Sequence, residues 1–177
     1  MTDRTIKQAI VALPTSDGAG GRLKRSIGTE MLSALDPFLL LDNFGSENPD
    51  DYIAGFPDHP HRGFETVTYM IQGVMRHKDS SGAEGLLRPG GVQWMTAGRG
   101  IIHSEMPEQM EGEMNGFQLW VNLPSRLKMS EPRYVGLQQE GIPAVQLAGG
   151  GTLNLIAGEW QGQTGPIESL TGVFMST

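Results

Sequence analysis

The stretch HPHRGFETVTYMI, residues 59–71, combines two histidines with a run of residues that favour strands. Threonine, valine and tyrosine follow Phe64 in close succession, and such side chains fit the pleated surface of a β-sheet. Side chains at positions i and i+2 of an extended chain point to the same side, so His59 and His61 can direct their rings at one point. The stretch therefore predicts a strand environment with a two-histidine site.

A second pair of residues with metal-binding side chains occurs at His103 and Glu105, again two positions apart. Two extended segments can thus supply three imidazoles and one carboxylate to a single ion. On an octahedral ion this set leaves two positions open, which suits a substrate oxygen beside dioxygen, whereas closed structural zinc sites fill a tetrahedron. Either pair alone indicates little, but together they favour a metal site.

Two further residues have alternative interpretations. Glu65 is a rival carboxylate ligand, because positions 59, 61, 63 and 65 share a face if the strand runs straight. It is otherwise a carboxylate that orients a liganding imidazole through the second ring nitrogen, and the residue pattern leaves both alternatives open. His77 ends a predicted strand beside Lys78 and Asp79, and we interpret it as an exposed turn residue, with the cavity mouth as the alternative position.

The composition of the whole chain indicates an all-β protein. Its 25 glycines among 177 residues are scattered between short apolar runs, which is typical of short strands joined by turns. No run has the 3.6-residue period of a long amphipathic helix. We predict strands at residues 6–13, 64–71, 74–77, 92–96, 116–123, 144–147 and 153–160, and therefore a sandwich or barrel.

The pattern of strands is interrupted between residues 122 and 141, where Pro124, Pro132 and several charged residues occur. We interpret this region as a connection and place a boundary at residue 130. The expected organisation is a metal-binding barrel at 1–130 and a partial second β-unit at 131–177.

The second unit has three apolar segments, at 144–147, 153–160 and 170–174, which are too few for a barrel of roughly eight strands. An open sheet leaves an edge to be covered, and Gly172-Val173-Phe174-Met175 carries no charge to protect it. We therefore expect a homodimer formed through this segment. The alternative is that the segment folds back on the first barrel.

Charge and cysteine content exclude several classes of function. The sequence has no cysteine, which excludes thiolate metal sites and cysteine nucleophiles. A net charge of −7 and a pI near 5.0 disfavour direct binding to nucleic acid. No stretch approaches the ~20 apolar residues of a membrane span, and the start lacks the apolar region of a signal peptide. We expect a cytoplasmic protein without membrane contacts.

Four segments are the most specific part of the sequence: KRSIG at 24–28, DPFLLLD at 36–42, HPHRGFETVTY at 59–69 and QWMTAGRGIIHSE at 93–105. Together they resemble the pirin family of the cupin superfamily. The resemblance implies a jelly-roll-like β-barrel with the metal ligands His59, His61, His103 and Glu105, and it leaves Glu65 outside the ligand set. It also implies one divalent transition metal, iron(II) first, with zinc, manganese, nickel, cobalt or copper as alternatives.

The same resemblance implies two functions. Some pirins resemble quercetin 2,3-dioxygenases, which open the flavonol ring with dioxygen and release carbon monoxide. That role implies a small aromatic substrate, dioxygen as co-substrate, and Glu105 as the base that takes the hydroxyl proton. Other pirins are transcription cofactors, which implies instead a metal- or redox-sensing module that binds a protein partner. Pirins typically contain two cupin barrels, and residues 132–177 are similar to only the start of the second.

Overall fold

The structure is a computed structural model that describes residues 5–177. Its regular structure is almost entirely β, and the helices are short 3-10 turns at Pro49–Asp51, Ser125–Leu127 and Gln139–Gly141. Within residues 5–177, none of the helices has the length and apolar character needed to cross a membrane. The prediction of an all-β fold is confirmed.

The strands follow one another along the chain as β1 (Leu13–Asp17), β2 (Gly21–Ile27), β3 (Phe38–Asn43), β4 (Phe56–His61), β5 (Phe64–Gln72), β6 (Met75–Asp79), β7 (Glu84–Leu87), β8 (Val92–Thr96), β9 (Ile101–Pro107), β10 (Asn115–Asn122), β11 (Arg133–Leu137), β12 (Ala144–Gln146), β13 (Thr152–Ala157), β14 (Glu159–Trp160), β15 (Gln163–Thr164) and β16 (Met175–Ser176). Seven of them form a large antiparallel sheet in the order β1-β2-β3-β10-β5-β8-β11. A smaller antiparallel sheet has the order β4-β9-β6-β7.

These two sheets enclose an apolar interior. Met70 of the large sheet packs in one buried cluster with Met75 and Leu87 of the small sheet. No strand of the large sheet pairs with a strand of the small sheet within the described part of the chain, so the sheets do not close into a single barrel. The two facing antiparallel sheets have a jelly-roll-like arrangement, as the resemblance implied, and not the closed form of a barrel.

The other face of the large sheet is covered by the end of the chain. Val67 and Trp94 of the large sheet share a buried cluster with Ile142, Ile156 and Ile167. The strands β12, β13 and β16 form a three-stranded sheet in this region. Residues after 140 thus lie against the sheet, as in the fold-back alternative. Val173 and Met175 of the segment expected to form the dimer are partly buried against this cluster, whereas Phe174 is exposed, and the homodimer stays a prediction.

The strand β11 lies just after the boundary predicted at residue 130 and nevertheless belongs to the large sheet. It pairs with β8 in a register that sets Tyr134 opposite Met95. The division into a metal-binding barrel at 1–130 and a partial second β-unit at 131–177 stays a prediction. The structure adds that the large sheet is incomplete without a strand from the second range.

The predicted strands agree with the strands of the structure to different degrees. Residues 92–96 coincide with β8, and the predictions for β5, β6, β10 and β12 lie within two residues of their limits. The predicted strand 153–160 contains most of β13 but continues past its end at Ala157 and spans β14. The predicted strand at 6–13 is wrong, because only Leu13 is in a strand and Ile6 and Val11 are exposed without sheet partners. The segment 170–174 is likewise not a strand, and β16 begins at Met175.

We expect Ile156→Ala to lower the free energy of unfolding by about 2–5 kcal/mol, since the side chain is fully buried between the end of the chain and the large sheet. Ile71→Ala removes the same atoms from a side chain that is 44% exposed, and it should cost under about 1 kcal/mol. Urea denaturation of both variants measures the difference. Equal losses would contradict the shared core.

Candidate metal centre

The centre is built on two neighbouring strands of the small sheet. The strand β4 carries His59 and His61, and β9 carries His103 and Glu105. The antiparallel register places His59 directly opposite His103. The two pairs that the sequence spacing predicted to face one point are thus brought together by a single strand pairing.

Three imidazoles converge in the interior beside this pairing. One ring nitrogen from each of His59, His61 and His103 lies within 4.8 Å of the other two. The Nε2 atoms of His59 and His61 are 3.0 Å apart. The ring centroids of the three side chains are 4.5–4.9 Å from one another. This spacing is compatible with three ligands of one transition metal ion.

The second ring nitrogens are held by other groups. His59 Nδ1 lies 2.7 Å from the carbonyl oxygen of Pro57, and His103 Nδ1 lies 2.8 Å from the hydroxyl oxygen of Tyr134. These contacts leave Nε2 to face the centre, as is usual for metal-binding histidines. His103 Nε2 is buried and has no hydrogen-bond partner. A buried nitrogen of this kind is costly unless a ligand satisfies it, so the donor set fits a metal ion.

Burial also favours the neutral form of His61 and His103. Desolvation, helped by the neighbouring imidazoles, lowers the pKa of His61 to about 4 and the pKa of His103 to about 3. Neutral imidazole is the form that binds metals. Protons therefore do not compete for these two rings near neutral pH.

Glu105 is buried beside the histidines but is fixed by two side chains of the large sheet. Its Oε1 accepts a hydrogen bond of 2.9 Å from the Thr68 hydroxyl, and its Oε2 accepts one of 2.7 Å from the Gln118 amide. It is not part of the compact set of three nitrogens. A carboxylate retains further lone pairs after two such bonds. The role of Glu105 as a fourth ligand stays a prediction.

Glu65 lies apart from the centre. It is two residues from Val67, which packs in the core on the outer face of the large sheet, whereas Thr68 on the opposite face contacts Glu105. The chain turns at Gly63, which has a φ of +80°. The strand is therefore not straight between His61 and Glu65, as it would have to be for Glu65 to be a metal ligand beside the histidines. Glu65 Oε1 accepts a 2.7 Å hydrogen bond from Thr96, and burial raises the pKa of this carboxyl. It therefore neither faces nor orients the histidines.

The interpretation of His77 as an exposed turn residue is wrong. The strand β6 continues to Asp79, so the turn begins only after it, and His77 is partly buried with Glu105 as its cross-strand neighbour. Its ring stacks on Tyr134 with centroids 5.1 Å apart and an interplanar angle of 17°. Burial lowers the pKa of His77.

Tyr134 is a site residue that the sequence reasoning missed. It reaches the centre from β11, and it contacts both His103 and His77. Burial, with the nearby charges of Glu105 and Asp79, raises the pKa of Tyr134, so its hydroxyl stays protonated. Thr68 and Gln118 were also missed, although each is a polar residue with an apolar or aromatic neighbour on both sides within a predicted strand, which is a usable signal.

A cavity of about 410 Å³ opens beside His59 and His61. This volume is within the range of small-molecule sites. The remaining wall is formed by aromatic, polar and acidic side chains with a few small residues, and it includes Phe44, Phe56, Trp120, Gln118, Asp17, Asp42 and Asp58. The centre therefore adjoins a space of small-molecule size with both aromatic and acidic walls.

The fold and the site together define a cupin with a histidine cluster for a metal between its sheets. Residues 20–121 match the family model described as Pirin, which covers more than half of the chain. The chain belongs to the pirin family, and the resemblance found in the sequence is confirmed.

Known proteins extend this comparison. A pirin-like protein of Caulobacter vibrioides is 56% identical over 168 residues, which are 94% of this chain and 61% of that relative. The crystal structure of a quercetin 2,3-dioxygenase from Acinetobacter baumannii has a TM-score of 0.77 at 38% identity, covering 88% of this chain and 57% of the other. The Escherichia coli pirin YhhW in complex with nickel(II) shares the fold, with a TM-score of 0.63 at 23% identity, over 83% and 59% of the two chains. This chain spans about three fifths of the length of these proteins.

We expect about one metal ion per chain, and we expect His59→Ala and His103→Ala each to reduce the bound metal strongly, because each removes one of three converging nitrogens. Glu65→Gln serves as the matched control and should cost less metal than Glu105→Gln. Elemental analysis after dialysis measures all four variants. Unchanged metal content in both histidine variants would refute the assignment of the ligands. A greater loss of metal in Glu65→Gln than in Glu105→Gln would show that the wrong carboxylate was chosen.

Tyr134→Phe should weaken metal binding by about tenfold to a hundredfold while leaving the fold intact, because the variant loses only the hydroxyl that fixes His103 Nδ1. Tyr52→Phe removes a hydroxyl that donates a hydrogen bond to the Gly112 carbonyl, away from the histidines. Competition titration with a chromogenic chelator gives both affinities. A metal affinity in Tyr134→Phe equal to that in Tyr52→Phe would refute this orienting role.

Proposed function

We propose that this chain is a metal-dependent cupin oxygenase of the quercetin 2,3-dioxygenase type, which opens a flavonol-like aromatic substrate with dioxygen. The observation that carries the proposal is the three-histidine cluster beside an aromatic-walled cavity of about 410 Å³. The likeness to the Acinetobacter baumannii enzyme supports the reaction class. The proposal concerns the whole reaction, although this chain covers only 57% of that enzyme.

The residues proposed to hold the metal are His59, His61, His103 and Glu105. We propose iron(II) as the physiological ion, with zinc, manganese, nickel, cobalt and copper as the alternatives from the same donor chemistry. When bound, a divalent ion supplies a Lewis acid for a substrate hydroxyl and access to dioxygen. The cluster contributes rings that are already neutral, since the pKa values of His61 and His103 are far below 7.

Glu105 is the proposed base for the hydroxyl proton of the substrate. Its side chain accepts hydrogen bonds from Thr68 and Gln118, which fix the direction of the carboxyl group. Proton transfer to a positioned side chain contributes typically 10²–10⁴-fold to a rate. Glu105 is 2% exposed, so bulk water does not compete for the same proton acceptor.

The aromatic side chains of the cavity would bind the ring system. Trp120, Phe44 and Phe56 line the cavity. The Trp120 ring packs on Phe64 behind it with centroids 4.6 Å apart, and it lies edge-on to His61 at 5.2 Å. Aromatic walls of this kind contact a planar ligand over a large area and exclude water. They would therefore position a flavonol next to the histidines.

The test is an oxygen-uptake and carbon monoxide assay with quercetin on the iron(II)-loaded protein, purified without chelators and analysed for metal. We expect uptake and release in equal amounts, and a rate loss of about 10²-fold or more in Glu105→Gln per bound iron. Glu65→Gln is the control and should retain activity. Absence of uptake at full metal occupancy would refute the enzyme and favour the metal- or redox-sensing module.

A further inference from the structure

One wall of the cavity contains a series of ion-paired side chains. Arg25 donates from Nε and Nη2 to the two oxygens of Asp42, both at 2.8 Å, and its Nη2 also donates to Asp17 Oδ2 at 2.9 Å. Asp17 and Asp42 both line the cavity, together with His59 and His61. The ion-paired side chains and the histidines therefore face the same cavity.

The turn that carries Asp17 is packed tightly against the cavity. Gly18 follows it with a φ of +59°, and a Cβ atom at this position would lie 2.6 Å from Phe56 Cδ1. The Gly18 amide donates a 2.8 Å hydrogen bond to Asp17 Oδ1. The carboxylate of Asp17 is consequently held at the wall from two sides, while half of its side-chain surface stays exposed.

The wall offers acceptors to a ligand, and the side-chain donors of Gln118 and Trp120 are already paired within the protein. The Gln118 amide donates to Glu105, and the Trp120 indole donates to Gln118 Oε1 at 3.2 Å. Three carboxylates line the cavity, at Asp17, Asp42 and Asp58, and the guanidinium of Arg25 pairs with two of them. The net charge of the wall is negative, and carboxylates accept hydrogen bonds without donating any.

We propose that Asp17, held by Arg25, determines substrate specificity by accepting hydrogen bonds from hydroxyl groups on the ligand's ring system, so that the cavity selects neutral polyhydroxylated aromatics and rejects carboxylated ones. This inference rests on the proposed function, because it names the substrate class of the same cavity. A phenolic hydroxyl supplies the donor that the wall lacks. A ligand carboxylate would instead meet like charges and find no free donor.

Calorimetric titration of the full chain loaded with zinc(II) measures ligand binding without oxygen consumption. Three probes separate the effect of ligand hydroxyl groups from that of a ligand carboxylate. They are quercetin, galangin, which lacks the two catechol hydroxyls, and 3-hydroxyflavone-4′-carboxylate. We expect quercetin to bind about tenfold more tightly than galangin, and the carboxylate more weakly than both, as hydrogen bonds to charged acceptors and like-charge repulsion require.

Asp17→Asn keeps the size of the side chain and an acceptor for the Gly18 amide, and it removes the charge. We expect it to reduce the preference for quercetin over galangin to below about threefold and to improve binding of the carboxylate probe. Asp50→Asn is the matched control, because it removes the same charge from an exposed side chain that does not line the cavity. It should retain the tenfold preference.

Equal affinities of the unmodified chain for quercetin and galangin would overturn the inference, as would an equal loss of preference in Asp17→Asn and Asp50→Asn. Selective binding without oxygen uptake on iron would support this specificity and refute only the proposed function. Oxygen uptake without selectivity would refute the specificity and leave the proposed function standing.

Discussion

The antiparallel pairing of β4 with β9 is the constraint on which the centre depends. It sets His59 opposite His103, and the i+2 spacing on β4 brings His61 to the same side. A slip of one residue would turn one pair of side chains to the opposite face of the sheet. The site therefore needs no dedicated loop, since the register of two strands that form part of the framework already positions three of the proposed ligands.

The interior between the two sheets combines this polar centre with an apolar core. Glu105 of the small sheet accepts hydrogen bonds from Thr68 and Gln118 of the large sheet, so a buried charge connects the two layers. A buried carboxylate is tolerated when its hydrogen bonds are satisfied, and such a network favours one relative position of the groups that form it. Met70, Met75 and Leu87 fill the adjoining space with adaptable side chains.

Much of this arrangement could be predicted from the sequence. The alternation of side chains on extended segments paired His59 with His61 and His103 with Glu105, and the family resemblance joined the two pairs into one site. Strands such as β8 follow directly from their apolar, β-branched and aromatic content. Contacts between residues distant in the sequence could not be predicted, because no local pattern connects Tyr134 with His103. The turn at Gly63 and the continuation of β6 to Asp79 decided the positions of Glu65 and His77, and a pattern of alternation alone does not reveal where an extended segment stops.

The contact between Tyr134 and His103 also bears on the order in which the molecule folds. It joins residues 31 positions apart, and it forms only when β11 lies beside β8 at the edge of the large sheet. Contacts of this kind require closure of long loops and are slow relative to local structure. A nascent chain that has emerged only as far as β9 would possess all three imidazoles but not the hydroxyl that orients one of them. The complete arrangement of the three imidazoles with the Tyr134 hydroxyl therefore requires a chain that has been synthesised beyond residue 134.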